Sequence, residues 1–519
     1  MTIGRTLSQP AKIPLNGRDL SVYDVHLVAT RRSPVFVPPG CVSAMRRSRA
    51  LVEKMCDEDR VVYGITTGFG FMKDRRISPD ETATLQRNLI MSHAAGVGEP
   101  LATPVVRAMM LLRINALVKG FSGVRPEVVE LLVGMLNRGV HPVIPSQGSV
   151  GASGDLSPLS HLALVVLGLG SAEHCGRVLP GSEALSEAGL EPIELSAKEG
   201  LALINGTQAM GAMGCLALEQ GRMLAKVADI ACATSLEALM GSNAPYQSAV
   251  HLLRPHPGQM ASARNLTRLT AGSELMASHR DCGMVQDGYS LRCAPQVHGA
   301  SRDALAFARQ TFQIEINSVT DNPLLFPESE EAVSAGHFHG QPLALPLDFL
   351  AIAMAELANI SERRVERMVN PALSNGLPTF LTANPGLNSG LMVAQYTAAS
   401  LVSENKVLCH PASVDSIPTS AGQEDHVSMG TTSARKLGQV VENLSQVLTI
   451  ELLCGAQALD LRPQLGVGRG VAAAWRFIRD VVPHLDADRV LSDDIRRLHE
   501  RIADGSLVQA VEEAVGPLE

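Results

Sequence analysis

Five short segments hold the residues that could do chemistry, and each is polar and turn-rich in an otherwise aliphatic chain. They are Tyr63–Gly70, Gly148–Asp155, Asn205-Gly206, Asp287–Arg292 and Gln423–His426. Three glycines in the eight residues from Tyr63 rule out a regular element there; such a stretch turns sharply or lets a partner approach the backbone. Loops held on a rigid scaffold are where binding and catalysis concentrate. Common chemistries fail against them. Gly151-Ala-Ser153-Gly-Asp155 misses the G-x-S-x-G elbow of a serine hydrolase because its fifth residue is Asp. There is no phosphate-binding G-x-x-x-x-G-K-[ST], and Gly466-Val-Gly468-Arg-Gly470 is not a dinucleotide fingerprint. No HExxH or Cys/His zinc spacing occurs, and no metal is expected. His337-Phe-His339 could present two imidazoles on one strand face, and reads as core or site lining.

What remains is Pro145-Ser-Gln-Gly-Ser-Val-Gly-Ala-Ser-Gly-Asp-Leu-Ser-Pro-Leu159. This run resembles the signature of the aromatic amino acid ammonia-lyases and aminomutases, and the similarity covers nearly the whole chain. The resemblance implies that Ala152-Ser153-Gly154 cyclises and loses water to give 4-methylidene-imidazol-5-one (MIO), with no external cofactor. The residue types suit this. Gly154 offers an unhindered amide nitrogen to attack the Ala152 carbonyl, Ser153 has a β-hydroxyl to lose, and a third-position Gly limits clash in a strained turn. The product is an electrophile that ordinary side chains cannot supply, and it stands in for a cofactor. It implies that the substrate amine becomes a better leaving group there while Tyr63 removes the β-proton. An unperturbed Tyr has a pKa of ~10, so the site is expected to favour the phenolate. By the same resemblance, Asn205 contacts the amino-acid group, Arg292 clamps the carboxylate with its planar fork, Tyr289 assists near the ring, Gln286 supports the site and Phe338 is an apolar wall.

Two positions bear on the side chain. Ser92-His93 matches the histidine-lyase form of the selectivity segment, and Glu424 in Gln423-Glu-Asp-His426 matches a glutamate typical of that branch. The runs Ser403–Lys406 and His410–Ser416 look similar to it as well. A carboxylate complements an imidazole N–H or an amine; beside a bare phenyl ring it would be desolvated without a partner. His337, Gly288, Gly340-Gln341 and Ala294 depart from the pattern, and some tyrosine aminomutases also carry Ser-His. The resemblance therefore implies a carbon–nitrogen lyase converting L-histidine to trans-urocanate and ammonia, with a tyrosine or phenylalanine lyase or a 2,3-aminomutase as the alternative. A non-catalytic paralogue is a further alternative, opposed by the intact Ala152-Ser153-Gly154 and Tyr63.

The elements that must position these loops read as long helices. Within Thr432–Leu459, residues Leu437, Val440, Val441, Leu444, Val447 and Leu448 keep one apolar face. Similar patterns span Asn205–Ala231, Ser301–Asn317, Leu347–Met368 and Ser389–Leu408. The apolar Leu162–Gly170 stretch reads as a buried helix. The fold class is mainly α: a helical bundle body of the ammonia-lyase/fumarase-like kind behind a mixed, loop-rich N-terminal region. Expected boundaries are 1–200 for that N-terminal region, 201–480 for the central bundle and 481–519 for a C-terminal helical cap. Of the 519 residues, 45% are hydrophobic, 18% charged and only 3% aromatic, and the net charge is −8. That balance is globular and acidic, opposed to a nucleic-acid partner. Met1–Lys12 lacks the apolar core of a secretory signal, and no 18-residue uncharged apolar run suggests a membrane span. Nine scattered cysteines without a CxxC pair suggest reduced thiols in the cytoplasm. The partners expected are a small amino acid and, from the family, three further copies in a homotetramer with shared sites.

Overall fold

The computed structural model describes residues 12–280 and 283–519; residues 1–11, most of the segment read as lacking a signal core, and Cys282 lie outside the described residues. The fold is about 59% helical, with 20 α-helices and only short strands among the described residues. Contacts group the chain into two compact units, each assembled from three stretches. One comprises Met1–Leu216, Arg309–Leu347 and Pro411–Arg435; the other comprises Ala217–Ala308, Asp348–His410 and Lys436–Glu519. Four of the five divisions fall within the long helices Gln208–Ala238, Ala294–Glu315, Gln341–Val369 and Gly430–Asp460; the fifth, between His410 and Pro411, follows the helix Met392–Leu408.

In the first unit, the helix Thr103–Leu117 is buried without a break from Val106 to Leu117, its two arginines included. Arg107 is satisfied there by the Val28 and Leu136 carbonyls and by His141. Two apolar clusters anchor the loops. Ile65, two residues beyond Tyr63, packs with Leu51, Val52, Met55 and Leu325. Ala152 packs with Val427 and Met429, which draws the 150s turn onto the segment carrying Glu424. Full burial of one such aliphatic side chain stabilises by about 1.5–3 kcal/mol, enough to fix a loop that forms no sheet.

Three expectations shift. The apolar helix is Leu156–Val166, earlier than Leu162–Gly170. Gly168 and Gly170 take left-handed φ of +72° and +63° and end it. The following long helix starts at Gln208 because Asn205 and Gly206 are used elsewhere: Gly206 bridges to Gly154. His337-Phe-His339 lies in a turn between the strand Glu331–Val333 and the helix Gln341–Val369, so the two imidazoles do not share a strand face. That last helix is apolar and long enough by composition to cross a membrane, but 56% of its apolar window is buried within the protein, as in a core helix.

The second unit holds a buried ionic network. Arg364 clamps Glu451 through Nε and through Nη2 (2.5 and 2.8 Å), and Ser235 and Ser361 donate to the same carboxylate. Asp229 accepts from His298, Arg302, Ser262 and Asn265. Near the C-terminus, the helix Ser506–Val515 packs on Arg469–Val481, and Glu519 pairs with Arg264.

Candidate active site

Asp155 organises the site. It is fully buried and immediately precedes the helix Leu156–Val166. Its Oδ2 accepts from the Ala209 and Met210 amides (2.8 and 3.0 Å) in the first turn of Gln208–Ala238, where a carboxylate meets unpaired N–H groups and the positive end of the helix dipole. Its Oδ1 accepts from Thr431 (2.6 Å), in the first turn of Gly430–Asp460. One side chain thus ties three helix starts around residues 152–154. Burial pushes its pKa up to about 6, opposed by these donors.

The tripeptide sits in a strained turn. Gly151 and Gly154 have φ of +68° and +75°. The Asp155 amide donates to the Gly206 carbonyl (2.7 Å), and a Cβ at Gly154 would collide with that carbonyl. Only glycine fits there, for space as well as for φ. On the other side, the Met429 amide donates to Val150 O and Ser428 Oγ to Gly151 O. The glycine amide nitrogen, the tight turn and the hydroxyl of Ser153 are the parts that an Ala-Ser-Gly cyclisation needs, so the residues present fit an MIO group.

Ser153 Oγ donates to Glu424 Oε1 (3.0 Å), while Thr419 Oγ1 holds Oε2 (2.6 Å). Tyr63 Oη accepts from the Gly70 amide (3.2 Å), so the glycine-rich loop folds back on its own tyrosine. The expected shift toward phenolate is not what this chain alone provides: burial raises the Tyr63 pKa above 10, the Gly70 donor opposes that, and the Glu424 charge adds to it. His93 Nδ1 lies 2.9 Å from Leu89 O, a carbonyl that can only accept. Nδ1 therefore carries the proton and Nε2 is a free acceptor. Burial lowers the His93 pKa, against smaller opposing effects of Leu89 and Glu424. Asn205 Nδ2 donates to Asn322 O (3.2 Å), and its Oδ1 is buried without a partner.

A cavity of about 1120 Å³ brings together Tyr63, His93, Ala152, Ser153, Asn205, Phe338 and Glu424, seven of the site residues named from sequence. A second cavity of about 310 Å³, lined in part by Gly154 and Ser157, shares Ser153, His93 and Glu424 with it. Gln286, Tyr289 and Arg292 are not among the lining residues; they belong to the second unit. Tyr289 is 72% exposed, and the Arg292 guanidinium lies over its ring at 4.6 Å. Residues that the sequence reading passed over include Asn322 and Leu89, whereas His339, read as core or site lining, does line the cavity. Arg113, behind Asn205, was missed as well; its one signal was a charge in a helix otherwise nearly all apolar.

The family model for aromatic amino acid lyases matches residues 20–480. The chain belongs to the aromatic amino acid lyase family. It is 61% identical to a histidine ammonia-lyase of Gloeobacter violaceus over 505 residues, 97% of this chain and 98% of that protein. Among solved structures, it resembles histidine ammonia-lyase from Trypanosoma cruzi with a TM-score of 0.90 and 44% identity, covering 97% of this chain and 96% of that one. Tyrosine aminomutase from Streptomyces globisporus matches with a TM-score of 0.94 and 38% identity, over 98% of this chain and all of that one. Lyase and aminomutase members of the family therefore share this backbone, and the side chains around the cavity must separate them.

Proposed function

We propose that this lyase-family chain eliminates ammonia from L-histidine to give trans-urocanate, on an MIO group made from Ala152, Ser153 and Gly154. The observation that carries the reading is the Glu424 carboxylate, within 3.0 Å of Ser153 Oγ in a cavity that also holds Tyr63, His93 and Asn205. Loss of the Ser153 hydroxyl on MIO formation removes the donor to Oε1 while Thr419 still holds Oε2. The freed Oε1 then takes the amine or an imidazole N–H, and only the second is a pairing that a phenyl side chain could not offer. The high identity to histidine ammonia-lyases supports the same substrate. The MIO group supplies an electrophilic carbon that turns the amine into a competent leaving group.

The chain's own residues do the rest. Asn205 Oδ1, buried and unpartnered, accepts from the substrate amine. His93 Nε2 accepts from the side chain. Tyr63 Oη takes the β-proton; the C–H electron pair forms the Cα–Cβ double bond as the C–N pair leaves with nitrogen. The base is the Tyr63 phenolate, which the Gly70 amide stabilises before the proton arrives. Burial and Glu424 oppose ionisation, so Tyr63 needs cationic charge beside it at the moment of reaction. Arg292 is suited to supply that charge while holding the substrate carboxylate. Because Arg292 and the exposed Tyr289 do not line this chain's cavity, we assign them, with Gln286, to the site of a neighbouring copy in a homotetramer. A cytoplasmic enzyme needing no metal belongs to the same reading.

A tyrosine aminomutase is the second reading, favoured by one observation: an acceptor at His93 Nε2 meets a phenol O–H as readily as an imidazole N–H. A panel of L-histidine, L-tyrosine and L-phenylalanine with products identified by chromatography decides. Urocanate from histidine is expected; a β-amino acid from tyrosine would overturn the proposal. No turnover, together with an intact mass lacking the loss of two waters, would favour a non-catalytic protein. In the same assay, Tyr63→Phe and Arg292→Met chains, each inactive alone, regain turnover when co-expressed if neighbouring copies share sites.

A further inference from the structure

Arg113 is fully buried in the helix Thr103–Leu117, yet the structure gives it one hydrogen bond: Nη1 donates to the main-chain oxygen of Asn205 at 2.7 Å. Its Nε and Nη2 have no hydrogen-bond partner. A buried cation in that state is costly, and an apolar side chain of similar length would serve packing better. Its neighbourhood is also charged. Lys198, fully buried, pairs with Asp321 at 2.7 Å, and Asp321 also acts electrostatically on Arg113. One buried carboxylate thus serves two cations.

These groups converge on Asn205. Lys198 immediately precedes the helix Glu199–Ile204, which ends at Asn205. Asp321 Oδ1 accepts from the Asn322 amide (2.7 Å), and the Asn322 carbonyl accepts from Asn205 Nδ2 (3.2 Å). Asn205 is therefore gripped at its main-chain oxygen by Arg113 and at its side-chain nitrogen by Asn322. Only Oδ1 is left free, at the cavity wall. The next residue, Gly206, carries the carbonyl against which Gly154 is packed, and a Cβ on Gly206 would come within 2.9 Å of Arg113 Nη1.

We propose that Arg113 is a positioning residue for the elimination: through the Asn205 carbonyl it fixes the amide oxygen that receives the substrate amine. The inference rests on the lyase reading above. Arg113 touches no substrate, so its effect passes through Asn205, and a double-mutant cycle isolates it.

The test measures kcat and KM for L-histidine in Arg113→Lys, Asn205→Ala and the double variant, with intact mass and melting temperature recorded for each. Lysine keeps the charge and loses the planar fork. Arg113→Lys is expected to lower kcat/KM roughly tenfold in the parent and less than about twofold in the Asn205→Ala background. The loss of two waters in the mass should persist. Equal losses in both backgrounds, or full kcat/KM in Arg113→Lys, would overturn the proposal. Should Arg113→Lys not fold, Arg113→Gln retains a planar N–H donor and runs the same cycle with the same expected non-additivity. Absence of turnover on histidine by the parent would instead sink the substrate assignment, and the cycle is then read on whichever amino acid of the panel is consumed.

Discussion

Two buried polar clusters sit among apolar helices in this chain, and they differ in how completely their acceptors are satisfied. In the second unit, Glu451 receives both arms of Arg364 and two serine hydroxyls, and Asp229 receives four donors. Around Ser153, atoms are left open. Asn205 Oδ1 and Ser157 Oγ have no partner, Gly151 and Gly154 are held at positive φ, and Glu424 Oε1 is paired to the hydroxyl that MIO formation would remove. A saturated network rigidifies; an unsaturated one keeps capacity for a ligand. Burial of polar groups does not by itself mark a site. An unspent acceptor at a cavity wall, as Asn205 Oδ1 is, does.

The sharpest way to break this contrast is Ser153→Ala. It should cost ~10³-fold or more in turnover, with melting temperature near the parent and no loss of two waters in the intact mass. Turnover close to the parent's would detach the tripeptide from the chemistry. On the other side, Glu451→Ala strands Arg364 in the core and should destabilise by about 3–5 kcal/mol, read from denaturant unfolding, while kcat of the folded fraction is kept. Loss of kcat without loss of stability would erase the distinction between the clusters.

The smallest effect concerns Glu237, whose carboxylate accepts from the Gly468 amide and Ser273. Burial pushes its pKa up to about 7. Because the folded value is raised, the stabilisation by its neutral form is present below the ordinary carboxylate range and is lost as pH rises through about 7. Glu237→Gln should therefore gain a few degrees in melting temperature over the parent between about pH 5 and pH 8. An unchanged difference across that range would show that Glu237 is not held neutral.

Much of the site was legible in the residues. The Ala152-Ser153-Gly154 signature, Tyr63, His93, Asn205, Phe338 and Glu424 were named from their motifs, and all line one of the two cavities. Helix periodicity gave the mainly helical class, because a one-sided apolar stripe is a local property of sequence. Helix starts were less legible: Gln208 rather than Asn205 begins its helix because the bridge from Gly206 to Gly154, 52 residues earlier, competes for the same backbone.

The sequence by itself determined which groups could react. Side-chain chemistry and the need for glycine in a strained turn are written at single positions. Only the tertiary structure decided which of those groups meet and in what state. Long-range packing joins Ala152 to Val427 and Met429 and sets Glu424 against Ser153, and burial raises rather than lowers the Tyr63 pKa. It also turned Arg113, an unremarked charge in an apolar helix, into the support of Asn205. These are properties of pairs separated by tens to hundreds of residues, and hydrogen bonding and desolvation exist only once the chain has brought those pairs together.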